Sequence, residues 1–342
     1  MVTEASRRTR VALVGAGEWG RQHARVFSGR ADVELCAVAG RSADRTAARA
    51  AEWHIRPYTS IARMLEEERP DLVSLSLPNE GHFEGTLEVI EAGCALLVEK
   101  PLVFELGEAT RLLDAAKERD LFFAINFNHR YAEPIRRARD AIVRGDLGDL
   151  VLATWRFGGE PGTSAHPHAN LIETQCHGLD TLEHLCGPIS SVMAQMTKKT
   201  QGVYSTLSVA LEFDNGAVGS LVGSYDSSYA YPAAHLLEVN GTRGRAVVED
   251  TVKRLTLCRA GDETRSIWEA GYFNDLDREF HRTFDKHIDA LLDALRAGDP
   301  PPIHARAGLR ALELAYAIIR SIEDGTRVAV PAPPVGEAGG IG

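Results

Sequence analysis

The sequence predicts an α/β fold: an N-terminal doubly wound parallel sheet, then an α+β unit built on an open, mostly antiparallel sheet. Three observations predict it. Short apolar runs alternate with helical stretches up to about residue 130. Beyond residue 150 the apolar pattern changes to a period of two. The first apolar run ends in a glycine-rich turn followed by a helical stretch.

The N-terminal strands read as Val11–Val14, Val33–Ala39, Leu72–Leu77, Ala95–Glu99 and Leu121–Asn126. Helical stretches separate them, as at Leu106 to Arg119, where Leu112, Leu113 and Ala116 share a face. Such alternation implies a parallel sheet with helices on both sides. In the second part Leu207, Val209, Leu211 and Phe213 alternate with Ser208, Ala210 and Glu212, the mark of a half-buried strand. Ala217–Tyr225, Leu236–Val239, Arg245–Glu249 and Leu255–Cys258 read alike, with a turn expected at Asn240-Gly241. Phe280, Phe284, Ile288, Leu291, Leu292 and Leu295 recur at helical spacing, and Leu309 to Ile322 gives a further helix. The expected division is residues 1–128, residues 129–330 and a loose Pro- and Gly-rich tail, 331–342.

A chain of 342 residues is long enough for two domains, and 44% apolar with 25% charged residues is ordinary for a protein that buries sizeable cores. The net charge of -10 argues against nucleic acid as a partner, since phosphate binding needs a basic face. No stretch has the roughly 18 apolar residues of a membrane span. Arg7, Arg8 and Arg10 precede no apolar segment, so no secretory signal is expected. The five cysteines are scattered, without a Cys-x-x-Cys, which suits reduced thiols and a cytoplasmic location.

Gly15-Ala16-Gly17-Glu18-Trp19-Gly20 directly follows the first strand and opens a helix. In that context Gly-x-Gly-x-x-Gly is the dinucleotide-binding fingerprint of a Rossmann domain. Gly15 makes the tight turn, Gly17 lets backbone approach a pyrophosphate, and Gly20 permits close packing of helix on strand. At the end of the second strand stand Arg41 and Ser42, with no acid. A guanidinium suits a ribose 2′-phosphate, so NADP is favoured over NAD. The other reading is an exposed loop arginine, with Asp44 capping the next helix. Pro78 and Asn79, with His82 beyond them, form a turn at the binding edge of the sheet; a plain turn is the alternative.

Lys100, in Val98-Glu99-Lys100-Pro101, is placed at the carboxyl end of a strand, where open α/β sheets bind ligands. In the second part Glu173, His177, Asp180 and His184 fall on one stripe of a helix, and Ile172, Cys176, Leu179 and Cys186 on the opposite one. His177 is a candidate general base, with Asp180 or Glu173 fixing its tautomer. Taken alone, the stripe also reads as a solvated face. His166-Pro167-His168 matches no metal signature and is read as a loop reaching the substrate pocket; no metal is expected.

Together these residues resemble the glucose-fructose oxidoreductase / inositol dehydrogenase (Gfo/Idh/MocA) family over roughly residues 8–330. The glycine turn, Pro78-Asn79-x-x-His82 and Glu99-Lys100-Pro101 come in the family's order. Asn128-His129-Arg130-Tyr131, Gly145-Asp146-Leu147-Gly148 and the Glu173…His177 helix follow. The resemblance implies a cofactor site that includes Glu18, Trp19, Glu99 and Lys100. It implies hydride transfer between nicotinamide and a hydroxyl-bearing carbon of a sugar, sugar derivative or cyclitol. It also implies a homo-oligomer, dimer or tetramer, through the C-terminal sheet. Lys100 corresponds to the family's catalytic lysine and His177 to its histidine. Glu173 stands where an aspartate is usual, and Gln175 replaces a frequent glycine. Asn128, Arg156, His166 and His168 are candidates for the pocket wall. Two other functions share the fold: a nicotinamide-binding sensor without turnover, and redox-neutral glycoside cleavage with tightly held NAD.

Overall fold

The computed structural model describes residues 7–79, 81–159, 166–199, 202–226, 234–271 and 279–333. Contacts divide them into two units: residues 7–126 with 284–309, and residues 127–283 with 310–333. The division expected from sequence keeps 129–330 in one block. By contacts residues 284–309 group with the first unit, and charge pairs tie them to it. Arg25 pairs with Asp285 at 2.9 Å, Arg30 with Asp289, and Arg296 with Asp32 at 2.6 Å.

The first unit runs β1 (Thr9–Val14), α1 (Glu18–Ser28), β2 (Val33–Ala39), α2 (Ala43–Trp53), β3 (Arg56–Tyr58), α3 (Ile61–Glu68) and β4 (Leu72–Leu75). It continues with α4 (His82–Glu91), β5 (Leu96–Val98), α5 (Leu106–Lys117) and β6 (Phe123–Ile125). The strands form one parallel sheet in the order β3-β2-β1-β4-β5-β6. Its central strands are almost wholly buried, since helices cover both faces. The order reverses between β1 and β4, and this opens a crevice at their carboxyl ends. The three-residue β3 is too short to carry a periodic signal and has no counterpart among the strands expected from sequence.

The second unit holds a 3₁₀ turn at Asn128–Tyr131, α6 (Glu133–Val143), β7 (Leu150–Gly158), a π-helical turn at Asn170–Thr174 and α7 (Cys176–Cys186). Then come β8 (Ile189–Thr197), β9 (Thr206–Phe213), β10 (Val218–Ser224), β11 (Leu236–Gly241), β12 (Gly244–Glu249), β13 (Arg254–Arg259) and β14 (Arg265–Glu269). The chain closes with α8 (Arg282–Ala297), α9 (Arg306–Asp324) and β15 (Val328–Ala329). The nine strands are ordered β14-β13-β12-β11-β7-β10-β9-β8-β15, antiparallel except for the parallel pair β7–β10.

The turn expected at Asn240-Gly241 falls two residues later, at Thr242-Arg243, because Gly241 still pairs with Leu150 across an irregular register. All five cysteines are free thiols. Among the described residues no helix is long and apolar enough to cross a membrane. The tail expected at 331–342 lies, from residue 334 on, outside the described residues.

Candidate active site

In the first unit the crevice beside β1 and β4 is a cavity of about 460 Å³, bounded by Gly15 to Trp19 of the glycine turn, Gly40 to Ser42, and Ser76 to Pro78. Its glycines separate by role. Gly15 has φ +117°, and a Cβ there would lie 2.4 Å from the Ser76 carbonyl oxygen. A Cβ on Gly20 would stand 2.1 Å from the Gly15 carbonyl oxygen. These two glycines let the chain pack on itself. A Cβ on Gly17 meets nothing within 4 Å; that position faces open space at the N-cap of α1. Backbone exposed there, with the helix amides aimed outward, fits a pyrophosphate.

Arg41 and Ser42 border the same cavity, joined by Arg45 and Thr46, two residues that sequence reasoning does not single out. The signal that could have found them is the helix start: both lie in the first turn of α2, directly after the strand end where Arg41 stands. Among the described residues neither the Arg41 nor the Arg45 guanidinium is paired with a carboxylate. Ser42, not Asp44, caps α2, its hydroxyl accepting from the Arg45 amide at 3.4 Å. Pro78 lines the cavity; Asn79 turns its carbonyl to the His82 amide at 3.3 Å. Trp19 lines it too, 46% exposed and stacked on Phe284 at 5.8 Å.

Two residues expected at the cofactor are buried. His82 is buried at the start of α4, where burial pushes its imidazole down to about 4. Glu99 and the backbone at Pro101 oppose that shift, and His82 is not among the residues that border the cavity. Glu99 is buried behind the wall. Its Oε1 accepts from His23 Nε2 at 2.8 Å and Asn126 Nδ2 at 2.6 Å, and its Oε2 from the Lys100 amide at 3.2 Å. Burial alone would raise this carboxyl; His23, Lys100 and Asn126 together hold it below its ordinary value. Lys100 itself follows β5 by two residues, half-buried.

In the second unit His177 is buried on α7, its ring stacked on His129 with centroids 4.0 Å apart and planes 9° apart. Phe127 meets it edge-on at 5.9 Å. His129 lies in the Asn-His-Arg-Tyr motif, yet nothing in its spacing from His177 signals the stack. The expected polar stripe does not form a solvated face. A π-helical turn ends at Thr174 and a separate helix begins at Cys176, so Glu173 and His177 do not sit on one regular helix. Asp180 is buried and held by Arg130 at 2.5 and 2.9 Å, so it does not orient His177. Burial works against the Arg130 charge, and Asp180 more than offsets it, raising the guanidinium. Glu173 is half-buried at the π-helical turn.

Gln175 does not crowd the site. Its side chain enters the sheet, where Nε2 donates to the Phe157 carbonyl and the Tyr225 hydroxyl, each at 3.1 Å. Asn128 is buried, and its side-chain amide donates to Thr283 Oγ1 at 2.7 Å. Arg156 is exposed on β7 between buried Trp155 and Phe157, so it points to the sheet face opposite His129. His168 stacks on Tyr204 at 4.8 Å, with His166 6.1 Å away.

Known proteins match both units. Residues 9–127 match the oxidoreductase family with an NAD-binding Rossmann fold, and residues 139–330 its C-terminal alpha/beta domain. D-glucoside 3-dehydrogenase of Escherichia coli is 26% identical, the alignment covering 93% of this chain and 97% of that protein. Myo-inositol 2-dehydrogenase of Thermotoga maritima is 23% identical over 92% of this chain and 96% of its own length. Among solved structures, a levoglucosan dehydrogenase in complex with NADH and L-sorbose shares the fold. Its TM-score is 0.85 at 19% identity, covering 96% of this chain and all of that one. With both family domains matched in sequence and order, this chain belongs to the Gfo/Idh/MocA oxidoreductase family and is a nicotinamide-dependent enzyme.

Proposed function

We propose that this enzyme moves a hydride between a nicotinamide dinucleotide and a hydroxyl-bearing carbon of a sugar, sugar derivative or cyclitol. The observation that carries the reading is the open cradle at Gly17, set in the β1–β4 crevice, with Lys100 at the end of the neighbouring strand. The substrate class is supported by the relatives named as glucoside and inositol dehydrogenases.

The turn at Gly15–Gly20 and the first amides of α1 would hold the pyrophosphate, and Trp19 and Pro78 would border the remainder. When bound, the nicotinamide supplies the hydride acceptor or donor. The rest of the chemistry belongs to side chains. His177 takes the substrate hydroxyl proton at Nε2, its Nδ1 being the buried nitrogen. The ring of His129, stacked on it at 4.0 Å, holds the imidazole in place. Lys100 Nζ donates to the same oxygen and offsets the negative charge that grows on it toward the transition state. Glu173 orients a neighbouring hydroxyl. Arg41, Ser42 and Arg45 make the ribose end of the cavity cationic, which favours NADP. The C-terminal sheet would join copies into a dimer or tetramer, in a cytoplasmic setting.

The test is a screen of polyols, inositols and aldoses with either dinucleotide, followed by absorbance of the reduced nicotinamide. Turnover of at least one is expected. Lys100→Ala should then lower kcat/KM by a hundredfold or more. A loss within about tenfold, roughly 1.4 kcal/mol, would mean that Lys100 does not stabilise the reacting oxygen.

A further inference from the structure

We infer that Glu99 is a positioning residue for Lys100, its carboxylate locked by His23 and Asn126 so that it fixes the Lys100 main chain at the end of β5. The inference rests on the role of Lys100 proposed above.

Glu99 is 6% exposed, and a carboxylate buried to that degree persists only when its oxygens are satisfied. Three donors converge on it. His23 Nε2 and Asn126 Nδ2 take Oε1, and the Lys100 amide takes Oε2. Each lock is itself locked. His23 Nδ1 meets Ser74 Oγ at 2.6 Å, and Asn126 Oδ1 meets His287 Nδ1 at 2.7 Å. One hydrogen assignment satisfies every pair: Ser74 donates to His23 Nδ1, His23 donates from Nε2, and His287 donates from Nδ1 to Asn126.

The chain of contacts therefore runs Ser74–His23–Glu99–Asn126–His287, drawing on β4, α1, the exits of β5 and β6, and α8. A network needed only for packing would end on any convenient group. From its centre, Glu99, this one branches to the amide of the residue whose ammonium the reaction uses, and the Glu99 and Lys100 charges act on each other. Two neighbours extend it to the cofactor cavity. His23 lies on α1, whose N-terminus borders that cavity, and Phe284 meets His23 edge-on at 5.6 Å while stacking on Trp19. The helix that would hold the phosphates thus also fixes the lysine.

The experiment compares wild type, Glu99→Gln, His23→Ala, His23→Gln and Lys100→Ala. Each is measured for dinucleotide affinity by fluorescence titration with NADPH and NADH. Each is also measured for kcat and KM on the substrate found in the polyol, inositol and aldose screen. Circular dichroism reports folding, and His23→Gln, whose amide nitrogen reaches the same oxygen, covers the case in which the alanine variant unfolds. Glu99→Gln and His23→Ala are expected to lose at least tenfold in kcat with dinucleotide affinity within threefold of wild type. His23→Gln should recover at least fivefold over His23→Ala or, where the alanine variant is unfolded, fold and lose less than Glu99→Gln. If Lys100→Ala is inactive while Glu99→Gln keeps kcat within twofold, the positioning role is overturned and the role of Lys100 stands. It is equally overturned if the losses appear only in dinucleotide affinity. If wild type turns over nothing in the screen, or Lys100→Ala stays active, the functional reading falls and the positioning role with it.

Discussion

Gln175 occupies the space that Gly223 leaves open: a Cβ on Gly223 would stand 2.0 Å from Gln175 Nε2. The amide fills the gap between α7 and β10 and satisfies the Phe157 carbonyl and Tyr225 hydroxyl. Gly223→Ala should therefore destabilise the protein by about 1–3 kcal/mol through overpacking. Gln175→Ala in the same chain should recover part of that loss. A double-mutant cycle in urea checks the coupling; strictly additive effects would show that the two residues do not share this space.

The glycines of the first turn should separate in their effects. Gly20→Ala forces a methyl against the Gly15 carbonyl oxygen, so it should lower the unfolding midpoint. Gly17→Ala meets no protein atom and should leave the midpoint unchanged while weakening dinucleotide binding tenfold or more, about 1.4 kcal/mol. Thermal unfolding beside fluorescence titration with NADPH distinguishes the two.

Cofactor choice is read at the end of β2. Arg41→Ala should cost about 1.5–3 kcal/mol in NADPH binding, the worth of a hydrogen bond to a charged group, and leave NADH binding within twofold. Equal losses for both dinucleotides would place Arg41 away from the 2′-phosphate and overturn the preference for NADP.

Burial of His82 predicts acid sensitivity. Its folded value of about 4 lies below the ordinary 6.5, so between those values the unfolded chain binds more protons. The stability is fully present above pH 6.5 and is lost as pH falls toward 4, to a total of about 3 kcal/mol. His184 and His235, pushed down by burial likewise, add to that limb, so His82→Gln should reduce its slope without abolishing it, measured as urea unfolding free energy from pH 7 to 4.5. An unchanged slope would mean that His82 is not one of the groups responsible.

The architecture was legible because its signals are local. Buried parallel strands such as Val11–Val14 are apolar without interruption, and Leu207 to Phe213 alternates because one face is covered. The glycine turn announced its own geometry. What stayed hidden depends on three-dimensional company. His129 and His177 are 48 positions apart and meet face to face, and Asp180 is claimed by Arg130, 50 positions upstream. The π-helical turn at Asn170–Thr174 breaks the 3.6-residue period on which the polar stripe rests. Glu99 looks like a cofactor contact because it neighbours Lys100 in the chain. Adjacent side chains at a strand end point opposite ways, and this one points inward.

Residues 284–309 rejoin the first unit after the second has been built. On a ribosome, the sheet around Lys100 therefore waits for Phe284 and His287, the first of which follows Lys100 by 184 positions. A nascent chain stopped before residue 284 should expose the ring of Trp19 and the amide of Asn126 to solvent and to chaperones. Shortened versions of this enzyme that keep only its first 126 residues should be poorly soluble. Exchanging the dinucleotide unit between relatives would require two separate stretches of chain to be replaced together.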